Sequence, residues 1–124
     1  MASDSSGTQP VTRLRSGVRM AAIVSRYHGE LCGAMLASAR AELIGRGLAD
    51  DALVVISAPG AYELPVIAAE VARREDIDAV LCFGLVLKGE TEHDRHIARA
   101  VAHGLIDIGL SQRKPVLFGV LTCN

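Results

Sequence analysis

The sequence contains no tryptophan, and only two tyrosines and two phenylalanines are spread over its 124 residues. Half of the chain is nonetheless apolar, so the core must be aliphatic and rich in alanine, which suits close packing of helices on a sheet. An excess of one charge is also missing. Thirteen basic residues stand against 14 acidic ones, and such a balance gives no field that would recruit nucleic acid or an anionic membrane. The three cysteines, Cys32, Cys82 and Cys123, are far apart, odd in number and without a CxxC pair. Each lies in an apolar context, which predicts buried thiols in the reducing cytoplasm. No apolar run approaches the length of a membrane helix. The opening "MASDSSGTQPVTRLRSG" lacks the apolar stretch of a secretory signal. It reads as a flexible tail over residues 1–16, in which Val11 and Leu14 can add an edge strand to a neighbour. The length fits one domain able to bury its own core.

The remaining chain alternates strand and helix. "VRMAAIV" (18–24) is a short apolar run after Gly17 and predicts a buried strand. "ELCGAMLASARAELIGRG" (30–47) follows, with Cys32, Met35, Leu36, Ala39 and Leu43 at helical spacing and Gly45 and Gly47 as stop signals. "DALVVIS" (51–57) is a second strand, and residues 61–74 predict a second helix ending at Arg73-Arg74. "DAVLCFGLVL" (78–87) is almost wholly apolar, as expected of a strand covered on both faces. Residues 92–110 predict a third helix with Ile97, Val101, Leu105 and Ile108 in one stripe, and "PVLFGVLT" (115–122) is a fourth strand. This order predicts an α/β fold, a three-layer sandwich with a four-stranded parallel sheet in a flavodoxin-like arrangement.

In such sheets ligands bind beyond the carboxyl ends of the strands. That rule selects "SRYHGE", "APGAYELP", "LVLKGETEH" and "LTCN", which hold Tyr27, His28, Tyr62, Glu63, Lys88, Glu90, Thr91 and His93. Each has a plain reading beside a functional one. Tyr27 can stack on a planar ligand or fill a gap in a loop. Glu63 stands near a helix start, where a carboxylate is favoured merely as a cap. Thr91 can be an N-cap, and the 88–91 segment can hold an anion on free backbone N–H groups, although the GxxxxGK[ST] spacing of a P-loop is absent. His93 continues the apolar stripe of the third helix into its first turn and can be a packed structural residue. The helix N-terminus would equally keep its ring neutral and available as a base. His96 and His103 fall on another stripe with Arg99 and read as solvated. "ETEHDRH" spaces His93 and His96 by three, but one helical turn offers too few converging ligands, so no metal site is expected.

Together, "PGAYELP", "GLVLKGETEH" and "PVLFGVLT", with the aromatic in "SRYHGE", resemble lumazine synthase (6,7-dimethyl-8-ribityllumazine synthase) over residues 17–124. The resemblance implies condensation of 5-amino-6-(D-ribitylamino)uracil with 3,4-dihydroxy-2-butanone 4-phosphate to 6,7-dimethyl-8-ribityllumazine in riboflavin biosynthesis, without metal or organic cofactor. It implies that Tyr27 stacks on the pyrimidine, and that Ala61, Tyr62 and Glu63 hold the ribityl chain and ring edge. Leu85, Val86 and Leu87 would contact the heterocycle through their backbone, Glu90 and Thr91 would line the phosphate site, and His93 would transfer protons. Phe118 would serve the site of an adjacent subunit. The family forms pentamers, some of which build icosahedral shells, so a homo-oligomer is expected.

The sequence departs from the family pattern in two places. "DRHIA" follows His93 where aromatic and acidic residues are usual. The given sequence also stops at Asn124, ahead of the family's helical segments with a basic phosphate-binding residue, so the expectation is a C-terminally shortened domain over 17–124. Two further readings share the same residues: a lumazine- or flavin-binding module without turnover, and a shell-forming paralogue that keeps only the subunit interface.

Overall fold

The computed structural model describes residues 12–88 and 93–123, and of His93 the backbone alone. The chain runs through β1 (Met20–Ser25), α1 (Gly29–Gly45), β2 (Leu53–Ala58), α2 (Leu64–Ala72), β3 (Ala79–Leu87), α3 (His93–Gln112) and β4 (Val116–Cys123). Short 3₁₀ turns at Asp50–Ala52 and Ala61–Glu63 lead into β2 and α2. The four strands form one sheet in the order β2-β1-β3-β4, and every pairing is parallel. This is the flavodoxin-like α/β arrangement.

Burial follows from the alternation of side chains across each strand. On one face Met20, Ala22, Leu81 and Phe83 pack against Met35, Leu36, Ala39 and Leu43 of α1. On the other, Ala21, Ile23, Val80 and Cys82 meet Leu64, Ala68, Val71 and Ala72 of α2 and Val101 and Leu105 of α3. β3 is thereby buried from Ala79 through Val86, which is why its sequence is nearly continuous in apolar residues. Ala and Gly allow close approach. A Cβ on Gly119 would stand 2.8 Å from a Phe83 ring carbon and 2.9 Å from the Cys82 carbonyl oxygen, so β4 can lie against β3 only with glycine there.

The helix ends are chemically specified. Past α1, the N–H of Leu48 donates to the Leu43 carbonyl at 3.0 Å and that of Gly47 to Ile44 at 3.0 Å. Gly47 takes a left-handed φ of 106°, completing a Schellman motif in which glycine avoids a Cβ penalty. At the end of α2, the Lys114 ammonium donates to the carbonyls of Ala72 and Arg74 at 2.8 and 2.6 Å, tying α2 to the segment before β4. Of the expected N-terminal tail, the part from Thr12 onward lies along the end of α1: Leu14 N–H donates to the Arg46 carbonyl at 2.8 Å. No helix among the described residues is long and apolar enough to cross a membrane.

The expected elements are present with shifted ends. β1 begins at Met20 rather than Val18, because the Arg19 N–H donates to the Asp78 carboxylate at 2.9 Å. The second helix becomes regular only at Leu64, since residues 61–63 take the tighter 3₁₀ turn. Pro65, in the first turn of α2, lacks a backbone donor where none is needed.

Candidate functional site

β1 lies between β2 and β3, so the chain leaves β1 toward one side and returns on the other. α1, which follows β1, and α3, which follows β3, lie on opposite faces of the sheet, and this divergence leaves a crevice at the carboxyl ends of β1 and β3. It contains a cavity of about 270 Å³ lined by Tyr27, Gly60, Ala61, Tyr62, Glu63, Leu85, Val86, Leu87 and Ile97.

Tyr27 is placed by its backbone. Arg26 N–H donates to the Ala58 carbonyl at 2.7 Å and Tyr27 N–H to Pro59 at 3.3 Å, which ties the loop after β1 to the end of β2. The Tyr27 carbonyl accepts from the buried Ser25 hydroxyl at 3.3 Å and from the Cys32 thiol at 3.7 Å. The residue remains 53% exposed, an aromatic side chain on the wall of the cavity. His28 stands edge-on to it, with ring centroids 4.3 Å apart and planes at 74°. His28 has a left-handed φ of 56°, and its Nε2 is buried without a hydrogen-bond partner among the described residues. Backbone strain of this kind in a non-glycine residue collects at ligand-binding loops.

Glu63 occupies the N-cap position of α2, with no side-chain capping hydrogen bond. No side-chain hydrogen bond thus ties this carboxylate to the helix end. Its Oε1 instead turns back to within 3.3 Å of where a Cβ on Gly60 would lie, on the cavity wall. Glycine at position 60 leaves the carboxylate that room. Ala61 is buried and sits tightly against β3, since a Cβ on Gly84 would lie 3.2 Å from the Ala61 Cβ and 3.1 Å from a Leu64 methyl. Glycine at position 84 is what lets the 61–64 turn approach β3 this closely. The site combines an exposed aromatic residue, a hydrogen-bond-accepting carboxylate and the end of β3 at Leu85–Leu87, a set suited to a planar heterocycle carrying hydroxyl groups.

Tyr27, Ala61, Tyr62, Glu63, Leu85, Val86 and Leu87, singled out in the sequence, line this one cavity. Phe118 does not; it lies on β4 and is 46% exposed. Glu90 and Thr91 lie outside the described residues, as does the side chain of His93, whose backbone opens α3. Gly60 and Ile97 join the cavity without having been singled out as ligand groups. Ile97 carried only the signal of an apolar helical stripe, which does not tell core from cavity wall.

Burial disfavours the thiolate form of the cysteines on this part of the fold. Burial pushes the Cys82 thiol up from 9.0 to about 12, and raises that of Cys32 as well. A thiol held neutral in the fold contributes its stability fully below the ordinary value of 9.0 and loses it as pH rises toward about 12. Iodoacetamide near neutral pH should leave Cys32 and Cys82 unmodified in the native protein and label both after unfolding, as read by peptide mass mapping. Labelling of native Cys82 would contradict this packing.

A sequence model described as 6,7-dimethyl-8-ribityllumazine synthase matches residues 17–124. The chain is 36% identical over 108 residues to the 6,7-dimethyl-8-ribityllumazine synthase of Aquifex aeolicus (strain VF5), covering 87% of this chain and 70% of that protein. It is 41% identical over 103 residues to the protein of the same name from Xanthomonas oryzae pv. oryzae (strain PXO99A), covering 83% and 67% respectively. The like-named protein of Rhodopirellula baltica (strain DSM 10527 / NCIMB 13988 / SH1) is 39% identical over 106 residues, covering 86% and 68%. The matched region spans every strand and helix that builds the cavity, and the chain therefore belongs to the 6,7-dimethyl-8-ribityllumazine synthase family of enzymes.

Proposed function

We propose that this chain catalyses the condensation of 5-amino-6-(D-ribitylamino)uracil with 3,4-dihydroxy-2-butanone 4-phosphate to 6,7-dimethyl-8-ribityllumazine, a step of riboflavin biosynthesis. The observation that carries this reading is the shared cavity of Tyr27, Glu63 and the end of β3 in a chain of this family. Tyr27 would stack on the pyrimidine, Glu63 would accept hydrogen bonds from the ribityl hydroxyls, and the Leu85–Leu87 backbone would read the edge of the heterocycle. The 5-amino group attacks the ketone carbonyl and water leaves as the imine forms. Loss of phosphate and attack by the ribitylamino nitrogen, with a second dehydration, then close the ring. Each step moves a proton, and His93 is the proposed carrier, because an imidazole titrating near neutrality can act in either direction.

The proposed working form is a homo-oligomer, most plainly a pentamer. Leu117, Phe118 and Leu121 on β4 are each about half exposed, at 53%, 46% and 48%. Apolar side chains grouped in this way on one strand are suited to contact with another subunit. Phe118 would there close the site of a neighbour.

Glu63→Ala tests the pyrimidine assignment. Removing a charged acceptor should weaken ribitylaminouracil binding by about tenfold or more, read by calorimetric titration, while the melting temperature stays near that of the parent. Unchanged affinity would remove Glu63 from the site.

A further inference from the structure

His28 does not line the cavity, yet it is held at a cost that packing alone does not explain. Its backbone is left-handed, with φ 56° and ψ 48°, at the N-cap of α1, a conformation unfavourable for any residue with a Cβ. Its Nε2 is buried without a hydrogen-bond partner among the described residues, which adds to that cost. Nor does its side chain cap α1. What the residue gains is the Tyr27 ring, edge-on at 4.3 Å and 74°. Successive residues on an extended chain point to opposite sides, so the left-handed turn at residue 28 lets two adjacent rings meet. The turn itself is anchored, because the Cys32 N–H donates to the His28 carbonyl at 3.1 Å as α1 begins.

The Tyr27 ring has few other restraints. Among the described residues its hydroxyl makes no hydrogen bond, and His28 is its one aromatic neighbour. A half-exposed tyrosine on a loop can change rotamer unless something holds it, and ordering such a side chain on binding costs affinity. We infer that His28 is a positioning residue: it holds the Tyr27 ring in one orientation on the cavity wall, so that the ring is ready for stacking before a ligand arrives. The inference rests on the proposed function in one respect, that the stacked ligand is the ribitylaminouracil. His28 touches neither substrate and acts through Tyr27 alone. Strain at residue 28 is thereby exchanged for order at residue 27.

The experiment uses the full chain and its His28→Asn, His28→Gly and His28→Phe variants. Asparagine and glycine accept the left-handed backbone and remove the ring; phenylalanine keeps a ring and has no nitrogen to bury. His28→Asn and His28→Gly should lower the melting temperature by no more than about 3 °C, because lost ring packing is offset by relief of strain and of the unpartnered nitrogen. The same two variants should weaken ribitylaminouracil binding about three- to tenfold in calorimetric titration, with kcat within about twofold. Affinity in folded His28→Phe should return to within about twofold of the parent. Ring order is read separately. The chain holds only Tyr27 and Tyr62, so selectively labelled tyrosine gives two sets of NMR signals, assigned with Tyr62→Phe. Couplings at the Tyr27 Cβ should report one χ1 rotamer in the parent and averaging in His28→Asn, with Tyr62 unchanged. A single Tyr27 rotamer and unchanged affinity in His28→Asn and His28→Gly would overturn the role. A much lower melting temperature with affinity per folded molecule intact would make His28 a structural residue and overturn it too. If the parent binds no ribitylaminouracil, the proposed reaction falls, and the Tyr27 couplings still decide whether His28 holds the ring.

Discussion

Replacing His93 with alanine should lower kcat for lumazine formation by roughly 10²–10⁴-fold, the usual contribution of a positioned acid–base group. Affinity for the ribitylaminouracil should stay within a few-fold, because the proposed stacking on Tyr27 and hydrogen bonding to Glu63 do not involve the imidazole. The same variant separates chemistry from packing. His93 opens α3 four residues ahead of Ile97, which packs on the core. A purely structural histidine would show its loss as a lower melting temperature with activity per folded molecule intact. Equal kcat in variant and parent would remove His93 from the mechanism. The pH profile provides a second readout: the limb belonging to a neutral imidazole base should disappear with the side chain.

Leu64→Ala should produce the largest loss of stability among the positions that support the site. Leu64 is fully buried at the first residue of α2, and its methyl group reaches the β3 backbone at Gly84. Truncating such a leucine removes its transfer free energy and leaves a cavity, which typically costs about 2–5 kcal/mol. For a domain of this size that corresponds to a fall in melting temperature on the order of 10 °C. Glu63 directly precedes Leu64, so ribitylaminouracil affinity should fall as well. Val66, two residues on, is 66% exposed, and Val66→Ala should change stability by no more than about 0.5 kcal/mol. A Leu64→Ala protein as stable as Val66→Ala would contradict the packing of α2 on β3.

The sequence shows the order of elements clearly because the apolar periods are strong. Continuous apolar residues in β3 and the stripe of Val101 and Leu105 in α3 are consequences of burial on a covered sheet and on one helix side. Element ends are less legible, since they depend on partners distant in the chain. Nothing near Val18 announces that Asp78 will accept the Arg19 N–H. Local chemistry decides the end of α1, where Gly47 permits the left-handed residue of the Schellman motif.

The site divides in the same way. Strand-end position alone pointed to Tyr27, Tyr62 and Glu63, and the family resemblance added Ala61 and Leu85 to Leu87. Whether Glu63 bonds to the end of α2 or faces a cavity turned on a side-chain orientation that helix-start statistics cannot supply; it makes no capping bond and its Oε1 lies toward Gly60 on the cavity wall. Ile97 lines the cavity and Arg99 does not, although they stand two residues apart on one helix. That distinction depends on how α3 is rotated against the sheet, a tertiary property that helical period leaves open. The two tethers on the Tyr27 carbonyl, from Ser25 and Cys32, bring together residues whose sequence signals were a strand end and an apolar helix face.

The measurement that bears most directly on the proposed reaction is incubation of the purified chain with ribitylaminouracil and the butanone phosphate, recording lumazine fluorescence and phosphate release together. The account predicts that both signals rise in equal molar amounts, saturate in each substrate, and fall together in His93→Ala. Tight binding of the ribitylaminouracil with neither signal above the uncatalysed rate would contradict it and identify a binding module in place of an enzyme.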